Sequence, residues 1–228
     1  MTDAQKALVT NLPALVAAEA GIVTNEASLT NAIANASKIF IANDITLTAP
    51  VVIEKTVSIN GNNKKLTGPG AITGAAHNST VVIFANNTEL FNLTVDAAST
   101  APNTWVTPAR FGMQVYDATA VKLTNITLQN GQAGLLVNAA TKDTSVVANG
   151  IHTVGNGFGG IEVYATAGNE STLTISNSTH ADASNMPAIW SEGAGNEVVN
   201  APGYNKVDGD ATPPTNGSVP QGKIYYTK

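Results

Sequence analysis

Apolar residues recur at every second position along most of the chain after Lys38, which is the pattern of β-strands. The alternation is clearest in three similar segments, 112–115, 134–137 and 160–163, with a looser fourth copy at 188–191. Their first residues are separated by 22, 26 and 28 residues. Self-similarity at such a period predicts a solenoid, in which each repeat buries its apolar face against its neighbours.

Each repeat divides into three short predicted strands. The coil that begins at residue 112 predicts strands over 112–116, 121–124 and 126–129, and later coils follow the same order. An asparagine recurs at the bend between the second and third strands, at Asn92, Asn125, Asn149, Asn177 and Asn200. Asn tolerates left-handed backbone angles, and at the ~4.8 Å spacing of neighbouring strands stacked Asn side chains can form a hydrogen-bonded ladder.

The two ends of the chain have different patterns. Residues 3–19 predict a helix divided at Pro13, and residues 28–36 predict a second helix with Ser28 as its N-cap. We expect these helices to cover the first open end of the stack, because an uncovered sheet edge invites association. After Asn200 the period fades, and residues 223–227 predict a last strand that either closes the final coil or begins a following domain.

Residues 38–200 resemble the pectate-lyase-like superfamily in three features. These are three strands per coil, coils of 22 to 28 residues and an Asn at the tight bend. The segment 55–68 also resembles the opening coils of its bacterial surface members. The resemblance implies an all-β fold: a single-stranded right-handed parallel β-helix with three parallel sheets and a short N-terminal α-helical cap. The expected organisation is a cap over 1–37, the β-helix over 38–200 and an irregular segment over 201–228 that closes the last coil.

Composition narrows the classes of partner and location. The 228-residue chain has no cysteine, which argues against disulfides and thiolate metal sites. It has one arginine and a net charge of −5, which argues against a nucleic-acid partner. No apolar run approaches 18 residues, so no membrane span is predicted, and the N-terminus lacks a signal-peptide pattern. Either the protein stays inside the cell, or it is a mature or excised domain with a start Met added. We favour the second, with an extracellular or cell-surface location, because the composition is typical of secreted bacterial β-solenoids.

The first strands of successive coils should pair into one sheet, which we call the first-strand sheet. Its outward positions are rich in aromatic, amide and carboxylate groups. In the resembled superfamily this sheet forms the floor of the sugar-binding cleft, where aromatic faces stack on sugars and carboxylates accept hydroxyl bonds. We therefore expect a polysaccharide or cell-surface glycan as partner. The alternative is that these residues stabilise the sheet across strands or lie under a loop. The candidate binding residues are Trp105, Arg110, Gln114, Tyr116, Glu162, Tyr164, Trp190 and Glu192.

A long insertion at residues 97–110 breaks the period and should overhang the same sheet. Long loops in compact domains are often functional, so Trp105 and Arg110 would wall the cleft. Alternatively, Trp105 packs over an exposed patch and Arg110 pairs with Asp117.

Catalysis is left open by the sequence, and a non-catalytic role is favoured. Arg110 is the one candidate base of lyase type, while Glu162 and Glu192 should lie on adjacent coils about 7–8 Å apart along a diagonal. That separation suits an inverting glycosidase. The chain lacks the Asp-Asp and Arg-x-Lys pairs that hydrolases of the resembled superfamily use.

Two histidines repeat with the coil. His152 and His180 each follow a predicted bend Asn by three residues, so their rings should stack on the third-strand sheet with Thr127 one coil before. Together with Asp182 they are candidate ligands of a divalent metal. The alternative is solvated surface. No resident cofactor is expected, with calcium left open.

The expected function is a non-catalytic extracellular surface or appendage module that binds polysaccharide through the first-strand sheet. One alternative is a polysaccharide lyase or glycosidase of pectate-lyase-like type. The other is a purely structural or oligomerising module of a phage spike, surface layer or fibre. A homo-oligomer, or a place within a larger surface protein, is compatible with each of these.

Overall fold

The computed structural model describes residues 21–69, 78–100, 102, 111–183, 186–208 and 224–228. The helix predicted over 3–19 lies outside these residues, as do Trp105 and Arg110. The described chain is mostly β, with one helix and two sheets. In this part of the chain, no helix has the length and apolar character needed to cross a membrane.

Ten strands form one sheet, sheet A, and eight form the other, sheet B. The strands of sheet A are β1 (Gly21–Val23), β2 (Lys38–Ile41), β3 (Ile45–Thr46), β5 (Ser58–Thr67), β7 (Glu89–Asp96), β9 (Val121–Gln129), β11 (Thr144–Val154), β13 (Glu170–Ser176), β14 (Thr179–Ala181) and β16 (Asn196–Asn200). The strands of sheet B are β4 (Val51–Ile53), β6 (Ser79–Ile83), β8 (Phe111–Tyr116), β10 (Ala133–Ala139), β12 (Ile161–Ala165), β15 (Ile189–Gly193), β17 (Asn205–Asp208) and β18 (Ile224–Thr227).

From β4 to β13 the chain alternates between the two sheets; β14 is again in sheet A, and β15 and β16 resume the alternation. Each strand of sheet B from β6 to β15 pairs in parallel with the preceding strand of that sheet, so the order is β4-β6-β8-β10-β12-β15. In sheet A, β14 and β16 pair in parallel with β11 and β13. Among the described strands, antiparallel pairing is found only where β18 joins β15 and β17. The final predicted strand therefore exists and joins the last parallel strand of sheet B.

The structure has two sheets where three were predicted, because the bend lies within a strand. Strand β9 continues from Val121 to Gln129 through Asn125, which has a left-handed φ of 52°. Strand β7 passes through Asn92 in the same way, with a φ of 54°. The second and third predicted strands of these coils thus form one bent strand in sheet A.

In the repeat that begins at residue 134, the bend residue is Gly150 and not Asn149 as predicted. Gly150 has a φ of 69°, and the register pairs Asn149 with Thr124 and Ser176, one position before the neighbouring bends. The asparagine ladder is therefore in two parts: Asn125 Nδ2 donates to Asn92 Oδ1 at 3.2 Å, and Asn177 Nδ2 donates to Asn149 Oδ1 at 2.9 Å. Asn200 pairs with Thr174 and does not lie at a bend.

The helix, α1 (Glu26–Asn35), begins earlier than predicted. Its N-cap is Asn25, whose Oδ1 accepts from Ser28 N at 2.9 Å while Ser28 Oγ accepts from Asn25 N at 3.1 Å. Ser28 is thus the second member of a capping box and not the cap itself. Leu29 and Ala32 are buried in the core next to β1 and β2.

Side chains from both sheets form one buried apolar cluster. The alternation predicted for sheet B is confirmed, because each side chain expected to point inward has an exposed fraction of 0%. Burying each of these side chains stabilises the fold by roughly 1.5–3 kcal/mol. They are Met113, Val115, Leu135, Val137, Ile161, Val163 and Ile189.

The glycines that begin the three repeats leave room for an inward row of sheet A. That row brings Leu128, Thr153 and His180 into register in β9, β11 and β14. A Cβ atom on Gly134 would lie 3.0 Å from Thr153 Cγ2 and 3.1 Å from Leu128 Cβ. On Gly160 it would lie 2.5 Å from His180 Nδ1 and 2.7 Å from Thr153 Oγ1. The repeated glycine is therefore a packing requirement between the two sheets.

Candidate functional site

The alternation along the chain predicts that Gln114, Leu136, Glu162 and Trp190 point outward and form one row, and the register places them so. In sheet B, Leu136 pairs with Gln114 and Glu162, and Glu162 pairs with Trp190. We call these four the first outer row. All four side chains are buried, with exposed fractions of 5% for Gln114, 7% for Leu136, 7% for Glu162 and 3% for Trp190. The first outer row is therefore not the open sugar platform that was expected, and burial fits the alternative of a covered face.

A second outer row lies two residues further along the same strands and is half-buried. Asn138 pairs with Tyr116 and Tyr164, and Tyr164 pairs with Glu192. Phe84 extends the row on the other side, with its ring centroid 5.3 Å from that of Tyr116 and the ring planes inclined at 58°. The second outer row thus aligns three aromatic rings, one amide and one carboxylate: Phe84, Tyr116, Asn138, Tyr164 and Glu192.

Glu162 is a buried carboxyl group in apolar surroundings. Leu136 and Trp190, its neighbours in the first outer row, belong to a separate apolar cluster with Phe111 and Ala133, against which Tyr164 packs. Glu162 Oε2 is buried and accepts no hydrogen bond. Burial, and then the charge of Glu192, raise the pKa of Glu162 to about 8, so this carboxyl group is protonated at neutral pH.

Glu192 lies on the neighbouring strand, diagonal to Glu162 as predicted. Burial raises the pKa of Glu192, and a hydrogen bond from the side chain of Trp190 acts in the opposite direction. The structure therefore brings two of the three catalytic candidates together. The third, Arg110, lies outside the described residues.

Asn138 occupies the centre of the second outer row with an unused acceptor. Its Oδ1 atom is buried and has no hydrogen-bond partner. A buried acceptor without a donor costs free energy. Beside it, burial and the charge of Asp117 raise the pKa of Tyr116.

The six parallel strands of sheet B carry carboxyl groups but no basic side chain. Strands β4, β6, β8, β10, β12 and β15 contain no Lys or Arg. Glu162 and Glu192 lie on the outer face of these strands, and Glu54 directly follows β4 at the position next to Phe84. A base of lyase type is therefore missing from these six strands.

Asp117 has a structural role at the edge of this face. Its Oδ1 accepts from the backbone N–H groups of Ala140 at 2.7 Å and Thr141 at 2.9 Å, and Thr141 Oγ1 donates to Oδ2 at 2.5 Å. These bonds lower the pKa of Asp117 against the effect of partial burial, which alone would raise it. The carboxylate thus caps the turn after β10.

The two histidines do not stack, so this prediction is wrong. His152 pairs with Thr127, as expected, but its partner on the other side is Thr179, whereas His180 pairs with Thr153. Adjacent residues of a strand face opposite sides, so the two rings lie on opposite faces of sheet A. His152 Nδ1 instead lies 2.7 Å from Thr179 Oγ1.

His180 and Asp182 are joined through hydrogen bonds with Thr153. Thr153 Oγ1 lies 2.7 Å from His180 Nδ1 and donates to Asp182 Oδ2 at 2.5 Å. Asn156 Nδ2 donates to Asp182 Oδ1 at 2.7 Å, and His180 Nε2 lies 2.8 Å from the Tyr204 hydroxyl. Sequence reasoning missed Thr153, Asn156 and Tyr204. The available signal was a threonine at an inward position of an otherwise apolar row.

This cluster is polar but is not arranged as a metal site. Burial, and then the charges of Lys228 and His152, lower the pKa of His180 to about 4. Burial raises the pKa of Asp182, which its hydrogen bonds from Thr153 and Asn156 oppose. Among the described residues, no group of three or more His, Asp or Glu side chains is placed to hold a metal ion.

A separate cavity of about 460 Å³ lies between α1 and β4, the end strand of sheet B. Its walls are mostly apolar, with Leu29, Ile33, Leu47 and Val52 among the lining residues. The cavity is at the N-terminal end of the described chain and shares no residue with the second outer row.

No family model, curated protein or solved structure matches this chain. The function is therefore argued from the chain's own geometry.

Proposed function

We propose that the chain is a right-handed parallel β-helix of pectate-lyase-like type. Three features support this proposal: the regular alternation between two sheets, the in-register parallel pairing from β4 to β16, and the left-handed bends at Asn92, Asn125, Gly150 and Asn177. A chain that coils in one direction produces all three, because each turn adds one strand to each sheet.

We further propose that this β-helix is a non-catalytic extracellular surface or appendage module that binds polysaccharide along the second outer row. The observation that carries the proposal is the alignment of Tyr116, Asn138 and Tyr164 on neighbouring strands. At ~4.8 Å per strand the two tyrosine positions are about 10 Å apart, on either side of an amide oxygen that lacks a donor. A sugar chain lying across the strands would find alternating aromatic and hydrogen-bonding surfaces.

The charge of the face restricts the class of glycan. Glu192 ends the second outer row on one side, Glu54 lies at its other end, and the six parallel strands of sheet B carry no Lys or Arg. A polyuronate would bring further negative charge to this face, whereas a neutral or amino-sugar polymer would not. An ammonium group over a tyrosine ring would add a cation–π interaction. The preferred ligand is therefore a neutral or amino-sugar polysaccharide.

The test is a glycan array followed by titration calorimetry with neutral, amino-sugar and uronate oligosaccharides. Tyr164→Ala should weaken binding tenfold or more, while Val147→Ala, a change at an exposed position of sheet A, should leave it unaltered. If no glycan is retained, or if Tyr164→Ala binds as well as the original chain, the second outer row is not a binding surface. Preference for uronates would overturn the assignment of ligand class alone.

The second candidate function is a glycosidase, favoured by the pair Glu162 and Glu192. A carboxyl group kept protonated at neutral pH beside a second carboxyl group is the arrangement that glycoside hydrolysis requires. Glu162 is only 7% exposed, which restricts access to it. Release of reducing ends from a polysaccharide, abolished in Glu162→Gln, would replace the binding proposal with this one. Unsaturated products would indicate a lyase instead.

A purely structural or oligomerising module makes the opposite prediction. Such a module retains no glycan, and light scattering would show a trimer or larger assembly. Both measurements use the same purified protein, so the three proposals are separated in one set of experiments.

A further inference from the structure

A chain of hydrogen bonds crosses the interior and reaches the C-terminal segment. Thr153 lies in β11 and His180 in β14, both on the inner side of sheet A, whereas Tyr204 directly precedes β17. The His180 ring is held between the Thr153 hydroxyl at 2.7 Å and the Tyr204 hydroxyl at 2.8 Å. The rings of His180 and Tyr204 also meet edge to face, with centroids 5.6 Å apart.

The hydrogen bonds at Asp182 favour one direction of this chain. Asp182 receives hydrogen bonds from Thr153 Oγ1 and from Nδ2 and the backbone N of Asn156. These bonds favour its ionised form and oppose the burial that raises its pKa. Thr153 has one hydroxyl proton, which goes to Asp182, and it must therefore accept from His180. His180 then carries its proton on Nδ1, and Nε2 accepts from Tyr204.

The opposite direction is chemically distinct. It would need a proton on Asp182, which would donate to Thr153, and Thr153 would donate to His180 Nδ1. Nε2–H would then donate to Tyr204, whose own proton would go to Ser178, a side chain with which Tyr204 also has a hydrogen bond. Ser178 Oγ donates its proton to the carbonyl of Ser176, so it is free to accept the proton of Tyr204. The tautomer of His180 thus reports which direction the molecule uses.

The C-terminal residue adds to the same contact. Lys228 Nζ lies 5.0 Å from the centre of the Tyr204 ring and donates to the carbonyl of Ser178. Lys228 directly follows β18, the strand that pairs antiparallel with β15 and β17. Tyr204 therefore contacts both the inner row and the end of the chain.

The ring has little room to move. A Cβ atom on Gly160 would lie 2.5 Å from His180 Nδ1, so sheet B is tightly packed against the His180 ring. Thr153 is fully buried. The groups that face His180 are Thr153 in β11, Asp182 just after its own strand, and Tyr204 and Lys228 from the C-terminal segment, with His152 contributing charge.

We propose that the chain Tyr204–His180–Thr153–Asp182 is a latch that fastens the C-terminal strands β17 and β18 to the end of the stack, with His180 held as the Nδ1–H tautomer. The latch is formed only when β17 and β18 are in place, because Tyr204 supplies the donor to Nε2. Loss of that donor should loosen these strands without unfolding the sheets before them.

Hydrogen exchange tests the latch. Tyr204→Phe removes the hydroxyl and keeps the ring under Lys228, so the amides of residues 224–227 should exchange tenfold faster or more, with β7 and β9 unchanged. Tyr164→Phe removes a hydroxyl from the outer face of sheet B, outside the latch, and should leave the amides of 224–227 unaltered. Unchanged exchange in Tyr204→Phe, or equal acceleration in all strands, would overturn the proposal.

The tautomer gives a second test that does not depend on how far the strands loosen. Correlation spectra between the ring protons and nitrogens at neutral pH should show Nδ1–H at His180. Thr153→Val should abolish this preference, while Thr153→Ser should retain it. An Nε2–H signal in the original chain would show that the hydrogen bonds run in the opposite direction and would remove the assignment.

Discussion

Glu162 and Trp190 are paired across strands β12 and β15, and both side chains are buried on the outer face of sheet B. A carboxyl group beside an indole ring in apolar surroundings loses hydration without gaining a cation. The sequence alternation assigns both residues to solvent, whereas the structure makes them part of a second apolar cluster with Leu136 and Phe111.

Glu162 should make the protein less stable as the pH rises. Its pKa is about 8 in the folded chain and near 4.5 in the unfolded chain, so the folded state binds the extra proton between these values. Stability should therefore fall from pH 4.5 to pH 8, and Glu162→Gln should remove most of this fall. At pH 8 the variant should be more stable by roughly 4 kcal/mol, as measured by urea unfolding. The exposed Glu54→Gln is the matched control, and a similar gain there would contradict the assignment.

Asp117 should make the protein less stable as the pH falls. Its pKa is below the ordinary value of 3.8, so the stability that it contributes is present above that pH and is lost as the pH falls through the folded value. Asp117→Asn tolerates the left-handed φ of 51° and changes mainly the acceptor strength. It should cost about 1–2 kcal/mol at pH 7 and much less at pH 2. A cost that is equal at both pH values would show that the carboxylate charge is not what stabilises the turn.

The repeat glycines should not be equivalent to one another. On Gly160 a methyl group would lie 2.6 Å from the carbonyl oxygen of Ala188 and 2.5 Å from His180 Nδ1, whereas on Gly112 its nearest neighbour is the carbonyl oxygen of Gly134 at 3.0 Å. Gly160→Ala should therefore cost about 3 kcal/mol or more, and Gly112→Ala about 1 kcal/mol. Thermal unfolding of both variants checks the order, and an equal loss would mean that the inner row does not set the spacing.

His180 should make the fold sensitive to acid. Its pKa is about 4 in the folded chain against 6.5 for an ordinary histidine, so the unfolded state binds the extra proton between these values. Stability should fall as the pH drops from 6.5 to 4, and His180→Gln, which keeps one donor and one acceptor, should reduce the fall. Asp182 opposes the change, since its raised pKa favours the folded state at lower pH. Urea unfolding at several pH values between 4 and 7 measures the difference between the two chains, and identical slopes would contradict the prediction.

Alternation was enough to predict the inward side of sheet B and the register of its rows, because both follow from the period of two. It could not predict that the first outer row is buried, since burial there depends on what packs over the sheet and not on the strand itself. Gln114 and Glu162 are polar residues at such covered positions. Tyr116 and Tyr164 remain half-buried two residues further on.

The wrong bend position explains why His152 and His180 were wrongly predicted to stack. Asn149 has the residue type of a bend, but Gly150 adopts the left-handed conformation. Counted from the true bends, His152 is two residues after Gly150 and His180 is three residues after Asn177. A difference of one residue sends one ring outward and the other into the core. The latch was missed for this reason.

The contact between each repeat glycine and the inner row of sheet A links substitutions that are far apart in the chain. A methyl group at 134 or 160 would meet the inner row and also a carbonyl oxygen just before the next strand of sheet B, that of Gly160 at 2.9 Å or Ala188 at 2.6 Å. A smaller residue at 128, 153 or 180 would relieve only the first of these two clashes, so glycine should persist at 134 and 160 among homologous sequences. A repeat that is transferred into another protein of parallel strands would need both its glycine and its inner residue. The repeat glycine of sheet B and the facing inner residue of sheet A should therefore be retained together.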